Sequence, residues 1–469
     1  MRGDWAKVLY KLVVEVISGK SQKEVESSDG QYPIYGSGGP IGLAKEYRCE
    51  PGTTIIGRKG TINSPIYVTE RFWNIDTAFG LYPSTAVLQK FNYFFCEYFN
   101  FKKLDKSTAV PSLAKRDIQA INFLLPPFPE QRAIVAKIEE LFSSLDNGIA
   151  NLEKAQEQLK VYRQAVLKKA FEGELTKEWR EKQTDLPSAE ELLEQIKRER
   201  ENYYEQQLAD WKVKVAKWEE NGKEGKKPGK PKKLSQIKSV INSRQLVLSI
   251  DSISLHIVDC LHSTAKFVEQ GYYCVDTTCI VNTQILWDKI RFVDKVTFQD
   301  RIRRLKPRQG DILFAREGTI GTTLVLKNDV DICLGQRMMM FRSVKQINPY
   351  FQMYFFISNE FKKQYKPKIG GTTAPHLNIR DVKEFQIPVL PYKEQSQIIQ
   401  EIESRLSVCD KVEESIKEGL QKAKALKQSI LKKAFDGALL TEVELEACRK
   451  EADWEPAEVL LERIKAEKK

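Results

Sequence analysis

The pentapeptide LKKAF stands at 167–171 and again at 431–435, and this repetition constrains the chain more than any single motif. The same offset of 264 aligns Pro111 with Pro375, Asp117 with Asp381, Pro127 with Pro391, Glu130-Gln131 with Glu394-Gln395, Gln164 with Gln428 and Gly173 with Gly437. Upstream the offset becomes 258, where PGTTIIGRKGTI (51–62) matches QGDILFAREGTI (309–320). Downstream it becomes 268, where AEELLEQIKRE (189–199) matches AEVLLERIKAE (457–467). Small changes of register are what unequal loops in two copies of one architecture produce. A chain of 469 residues is too long for one ordinary core. The duplication says how it divides: globule A, helix A, globule B, helix B.

The linking segments carry helical periodicity. In 130–172 apolar residues fall at Ile134, Ile138, Leu141, Leu145, Ile149, Leu152, Leu159, Tyr162 and Val166, in steps of three and four. In 394–436 the matching stripe is Ile398, Ile402, Leu406, Cys409, Val412, Ile416, Leu420, Leu426 and Ile430. Pro126, Pro127 and Pro129 set the start of the first helix, Pro388 and Pro391 that of the second, and Gly173 and Gly437 are the expected stops. A long helix with a single apolar stripe needs a partner, and each supplies one for the other. The expectation is an antiparallel coiled coil, each helix about 60 Å long at 1.5 Å per residue.

The globules read as mixed α/β. Short β-rich runs (TTIIG 53–57, PIYV 65–68, DILFA 311–315, TTLVLK 322–327) alternate with turn residues, and short apolar helices are expected at 91–99 and 349–361. The fold expected is α/β (α+β), two mixed globules alternating with two long helices in a tandem repeat. The divisions are globule A at 1–126, a first helical spacer at 127–220, a basic flexible linker at 221–236, globule B at 237–390 and a second helical spacer at 391–469. The linker assignment rests on NGKEGKKPGKPKK (221–233), rich in Lys, Gly and Pro.

A net charge of +11 favours a polyanionic partner. No apolar run reaches the length of a membrane span, and MRGDWAKVLY lacks the apolar core of a signal peptide. Eight scattered cysteines without a CxxC pair point to reduced thiols and a cytoplasmic location. His256, Cys260, His262, Cys274 and Cys279 lie close together without any standard zinc spacing, so no metal is expected. Catalytic motifs are absent. Asn63-Ser64-Pro65-Ile66-Tyr67 lacks the paired prolines of an amino-methyltransferase motif, and Ser18-Gly19-Lys20-Ser21 has Val14 where a P-loop needs glycine.

Two globules, each followed by a near-identical helix, resemble the layout of type I restriction–modification specificity subunits. PGTTIIGRKGTI and QGDILFAREGTI resemble that family's G-D-I … R-x-G-x-x-G segment. AVPSLAKRDIQAINFLLPPFPEQRAIV (109–135) and TAPHLNIRDVKEFQIPVLPYKEQSQII (373–399) resemble its P-x-L … E-Q junction, and LKKAFEGELT and LKKAFDGALLT its helix end. Asn63 stands where the second copy has Gly321, and Thr53 where it has Asp311. The resemblance implies a non-catalytic, DNA-binding subunit in which each globule is a target recognition domain for one half of a split double-stranded DNA site. The helices would set the spacing and dock two copies of a modification subunit, joined by a restriction subunit. S-adenosylmethionine, ATP and magnesium would sit on those partners and no cofactor on this chain. A fused restriction–methylation system's recognition subunit shares this layout, and a coiled-coil scaffold without a DNA role is the remaining alternative.

Arg, Lys, Asn, Ser and Thr are the residues that contact phosphates and base edges. In globule A the candidates are Lys45, Arg48, Arg58, Lys59, Asn63, Lys102, Lys103, Lys106, Ser107 and Thr108. In globule B they are Arg301, Arg303 and Arg304 within a basic stretch, then Arg316, Arg337, Lys366, Lys368, Thr372, Thr373 and His376. Arg58 and Arg316 occupy equivalent repeat positions and cannot by themselves distinguish two unlike half-sites; they are read as phosphate clamps or as structural arginines.

Overall fold

The structure is a computed structural model that describes residues 4–242, 245–261, 263–371 and 375–467. The chain divides into two compact units, Met1–Ala155 with Glu414–Lys469, and Gln156–Glu413. Four helices are central: α1 (Phe128–Phe171), α2 (Ala189–Glu220), α3 (Tyr392–Phe435) and α4 (Ala457–Glu467). α1 and α3 have 44 residues each, matching the expected spacers, and each is shared between both units. The compact units therefore cut across the sequence blocks: each holds one globule and a half of each long helix.

Both long helices begin at a proline carbonyl. Gln131 N–H donates to Pro127 O (3.1 Å) and Gln395 N–H to Pro391 O (2.9 Å), so proline sits where no N–H is needed. Both end in the same C-terminal cap. Gly173 (φ 77°) and Gly437 (φ 73°) adopt the left-handed conformation. Glu174 N–H reaches back to Lys169 O and Gly173 N–H to Ala170 O; Ala438 to Lys433 and Gly437 to Ala434 repeat the pattern.

Within the first unit the halves of α1 and α3 run antiparallel: Asp146 pairs with Lys427 at 2.5 Å, and further along Leu152 lies over Gly419. Ile134, Ile138 and Ile430 are buried there, and Leu141 and Leu145 pack against the same core. Within the second unit Arg163 bonds Asp410 (2.6 Å) and Glu413 (2.9 Å), and Val166, Ile398 and Ile402 are buried, with Leu406 against them. Cys409 and Ile416 are also buried, while Ile149, Leu152, Leu159 and Leu420 are half-buried. Three expected stripe positions are not covered: Tyr162, Val412 and Leu426 are 45%, 41% and 50% exposed. A two-helix seam covers only a narrow strip, and residues at its flanks stay in water.

Each globule contains one four-stranded sheet of the same topology, beside other sheets that differ. In the first unit the strands are β1 (Val14–Ser18), β2 (Thr53–Gly57), β3 (Ile66–Val68) and β4 (Ala78–Pro83), ordered β1-β4-β2-β3. In the second they are β5 (Ser254–Asp259), β6 (Ile312–Ala315), β7 (Thr323–Val325) and β8 (Met338–Ser343), ordered β5-β8-β6-β7. All pairings in both are antiparallel. The apolar helix expected at 91–99 spans Gln89–Tyr98. The one expected at 349–361 is two helices, Pro349–Ile357 and Asn359–Tyr365, because buried Ser358 stops the first and caps the second by accepting from Phe361 N–H.

The repeated LKKAF is explained by its phenylalanine. Phe435, at the end of α3, packs among Phe91, Phe95 and Tyr98 of the first globule, with ring centroids 5.1–5.6 Å apart. Phe171, at the end of α1, packs on Phe351 and Phe355 of the second globule at 5.2 and 5.1 Å. Each long helix thus ends in the core of the globule from which it does not start. The short repeat that follows completes the same cores: Leu460 and Ile464 of α4 in the first, Leu192 and Ile196 of α2 in the second.

The Glu-Gln pair at each junction is buried. Gln131 accepts from Leu88 N–H (2.8 Å) and donates to Ala86 O (2.8 Å) and Pro126 O (3.0 Å). Gln395 repeats this with Asn348 N–H (2.8 Å), Gln346 O (2.8 Å) and Leu390 O (2.7 Å). Glu130 accepts from the Trp5 indole (2.8 Å), and Glu394 from Thr176 (2.8 Å) and Arg180 (2.7 Å). The expected flexible linker is held against α2 at two points, where Trp211 and Trp218 donate to Pro228 O (3.0 Å) and Gly225 O (3.2 Å). An indole N–H next to apolar surface needs an acceptor, and the proline- and glycine-rich segment offers free carbonyls.

Truncating either motif phenylalanine tests this packing. Phe435→Ala is expected to destabilise the first globule, and Phe171→Ala the second, each by about 3–5 kcal/mol. Hydrogen exchange resolved by segment checks it: Phe435→Ala should lower protection in 53–57 and 78–83 and leave 312–315 unchanged.

Candidate nucleic-acid interface

Two of the motifs shared by the repeats meet in space. In the first globule Leu113 N–H donates to Arg58 O (2.9 Å) and Gly60 N–H to Pro111 O (3.0 Å). In the second, Leu377 N–H donates to Arg316 O (2.9 Å) and Gly318 N–H to Pro375 O (3.0 Å). The R-x-G and P-x-L segments are thus one backbone bridge. Its glycines are needed because Gly60 (φ 78°) and Gly318 (φ 70°) are left-handed.

Beside each bridge lies an open recess. That of the first globule, about 530 Å³, is lined by Ser18, Arg58, Phe79, Lys106, Ser107, Ser112 and residues 113–117. That of the second, about 1150 Å³, is lined by Lys238, Arg316, Gln364, Lys368 and residues 378–381, with Glu384 and Phe385. Residues 114–117 and 378–381 are equivalent under the 264 offset, so this is one recess built twice. Sequence reasoning named Arg58, Lys106, Ser107, Arg316 and Lys368 here but missed Ser18, Lys115, Arg116, Lys238 and Arg380. The alignment of Asp117 with Asp381 was the signal that could have found the basic residues next to it.

The two arginines are in different states. Arg316 is buried; its Nε and Nη2 donate to the Asp259 carboxylate at 2.8 and 3.0 Å, and Nη1 to Leu377 O at 3.2 Å. Burial opposes its charge, but the hydrogen bonds and charge of Asp259 outweigh this and hold its pKa above the ordinary arginine value. Arg316 is therefore a structural residue. Arg58 is half-buried, lies over the Phe79 ring at 5.8 Å, and donates to Asp76 O at 3.4 Å.

The other candidates are dispersed. In the first globule Arg48 donates to Ser18 O (3.1 Å) and lies over Trp73. Asn63 caps the turn Phe101–Leu104 by accepting from Phe101 N–H (2.7 Å), and Lys102 and Lys103 are exposed on that turn. Lys106 pairs with Asp117 at 3.1 Å, and Ser107 with Asp105, whose carboxyl is held below its ordinary pKa by hydrogen bonds from Ser107 and Ser112. Lys45, Lys59 and Thr108 are exposed, Lys45 being 3.9 Å from Asp29.

In the second globule Arg301 donates to Leu334 O (3.0 Å) and Ser263 O (2.6 Å), and Arg304 to Asp259 O (3.0 Å), so both tie segments of the fold together. Arg303 is exposed and paired with Asp300 at 2.9 Å. Arg337 is exposed with φ 76°, Lys366 and Lys368 lie on an exposed turn, and His376 bridges to Gly370 and Glu317. Thr372 and Thr373 lie outside the described residues.

The cysteine–histidine neighbourhood does not form a metal centre among the described residues. His262 lies outside them. His256 bonds the Tyr203 hydroxyl, and burial, with Arg342 nearby, pushes its pKa down. Burial pushes the Cys260 and Cys279 thiols up, away from the thiolate that binds metal. No described helix is long and apolar enough to cross a membrane.

Breaking the Arg316–Asp259 pair leaves a buried carboxylate uncompensated. Arg316→Met is expected to cost the second globule about 3–5 kcal/mol, and Asp259→Leu added to it to restore part of that. Urea denaturation of the single and double variants measures both.

Comparisons with known proteins agree with this architecture. A family model described as "Type I restriction modification DNA specificity domain" matches residues 2–160 and 269–422. The chain is 22% identical to the EcoDI type I restriction enzyme specificity subunit of Escherichia coli, over 99% of this chain and 95% of that protein. It is 25% identical to the EcoBI specificity subunit of the same species, over 77% of this chain and 68% of that protein. Among solved structures, a chain from work on complex assembly and conformational transition of the type I restriction–modification system superposes with a TM-score of 0.62. It is 14% identical and covers 94% of this chain and 99% of its own. With two thirds of its length matched by one family, the first match spanning a globule and the second most of one, each with the start of a long helix, the chain belongs to the type I restriction–modification DNA specificity family.

Proposed function

We propose that this chain selects the DNA site of a type I restriction–modification complex, each globule reading one half of a bipartite target. The observation that carries this reading is one scaffold built twice with different side chains on it. The backbone bridge, the sheet order and the helix junction repeat, and so do Arg58 with Arg316 and Arg116 with Arg380, whereas Lys106 and Lys115 of the first globule stand where the second has Gly370 and Ile379, and Lys368 where the first has Leu104. Two copies of one frame with unlike surfaces suit two unlike half-sites, since base readout needs different side chains at like positions.

In this reading the chain performs no chemistry. Methyl transfer with S-adenosylmethionine belongs to two copies of a modification subunit. ATP- and magnesium-dependent translocation and cleavage belong to a restriction subunit, and the complex works in the cytoplasm. The paired long helices serve as the spacer, and their exposed apolar residues, among them Val161, Tyr162, Val408 and Val412, suit docking of a protein partner.

The deciding experiment is methylation-site mapping in cells that also carry the modification partner. Exchanging residues 1–126 for another family member's first globule is expected to change one half of the methylated site and leave the other intact; a change in both halves overturns the modular reading. Spacing is tested by matched insertions, because Arg163 fixes the register of α1 against Asp410 and Glu413. Four residues after Gln158 together with four after Glu414 add about 6 Å, close to two base pairs of rise, and keep the apolar face nearly in line. The expected site has the same halves and a longer unread spacer; an active variant with the original spacer removes the helices as the ruler.

A further inference from the structure

The repeated arginine has a repeated neighbour that differs. On the first globule's sheet Phe79 of β4 lies opposite Ser18 of β1 on one side and Ile56 of β2 on the other. On the second, Met339 of β8 lies opposite Asp259 of β5 and Phe314 of β6. Ile56 and Phe314 are equivalent under the 258 offset that also equates Arg58 with Arg316. Ser18 therefore stands where the second globule has Asp259. Among the described residues the carboxylate that neutralises Arg316 has no equivalent at Arg58, whose side chain lines the recess together with Ser18.

Two further differences in the recess act in the same direction. Lys106 stands where the second globule has Gly370, and Lys115 where it has Ile379. In the opposite direction Lys368 stands where the first globule has Leu104. The recess of the first globule holds Arg58, Lys106, Lys115 and Arg116 against the single carboxylate of Asp117. That of the second holds Lys238, Arg316, Lys368 and Arg380 against Asp381 and Glu384, with Asp259 bonded to Arg316 and Glu384 to Lys238 at 2.9 Å.

We propose that the recess of the first globule grips a backbone phosphate of duplex DNA through Arg58, and that the same position in the second globule has been converted by Asp259 into an internal support. This rests on the DNA-reading function proposed above and adds an asymmetry to it: one of the two repeated arginines is a contact and the other is not. A phosphate recruits cations and hydroxyls without regard to base. Arg58, Lys115, Ser18 and Ser112 are such groups, and they surround an opening wide enough for a phosphate.

The test installs the second globule's state in the first. The full chain, Ser18→Asp, Arg58→Gln and Arg58→Lys are titrated with a random-sequence duplex of about 30 base pairs at several salt concentrations. Ser18→Asp and Arg58→Gln are each expected to weaken binding and to flatten the slope of log affinity against log salt by about one, whereas Arg58→Lys keeps most of it. The methylated sequence should not change in any variant. Arg58→Gln removes a half-exposed side chain, so it remains informative even where Ser18→Asp disturbs the sheet. If the parent chain binds duplex DNA and both neutralising variants keep its slope, the recess is not a phosphate site. A parent chain with no affinity for duplex at low salt would overturn the DNA-reading function itself, and the recess with it.

Discussion

A 44-residue helix with apolar residues along one side cannot remain solvated on all faces, and much of the architecture follows from how the chain satisfies it. Within each unit the stripes of α1 and α3 face one another, and most of their residues are buried or half-buried there. Because the two run antiparallel, the end of one meets the start of the other. This brings the LKKAF phenylalanine of each helix to the globule preceding its partner, where it enters a cluster of aromatic rings. Gln131 and Gln395 then fix each globule on the helix that it precedes, with three hydrogen bonds apiece in a buried setting. Leaving such groups unpaired costs more than the bonds return, which makes the junction specific as well as stable.

Much of this was legible because it is periodic or repeated. Proline and glycine marked the ends of α1 and α3 through backbone rules that tertiary structure did not override. The stripe located the seam, but it could not say which flank positions two helices leave uncovered, and Tyr162, Val412 and Leu426 went to solvent. The boundaries of the compact units were not legible at all: sequence blocks follow chain order, whereas α2 and α4 complete whichever core their apolar residues reach. The candidate site was the least legible part. A cation facing DNA and a cation holding a fold together are the same letter. Arg301, Arg304 and Arg316 serve their own globule through carbonyls and a carboxylate that lie 33 to 61 positions away.

The repeat also separates what must be kept from what is free to change. The bridge joining Arg58 to Leu113 and Gly60 to Pro111 is made only of backbone atoms, and so is its counterpart at 316–318 and 375–377. It asks little of the side chains beyond two glycines. One frame can therefore carry a half-exposed arginine in one globule and a buried ion pair in the other without altering the sheet order.

The discontinuous first unit has a consequence for how the protein is made. Its globule leaves the ribosome first, yet Phe435, Leu460 and Ile464 belong to its core. From Ala155 to Phe435 is about 280 residues, which at roughly 5–20 residues per second is a wait of about 15–60 seconds. The second unit is continuous in sequence and has no such interval. The nascent first globule must hold the faces of Phe91, Phe95 and Tyr98 without their final cover throughout that time. In a living cell this aromatic patch is a surface that a chaperone would meet on the unfinished first globule.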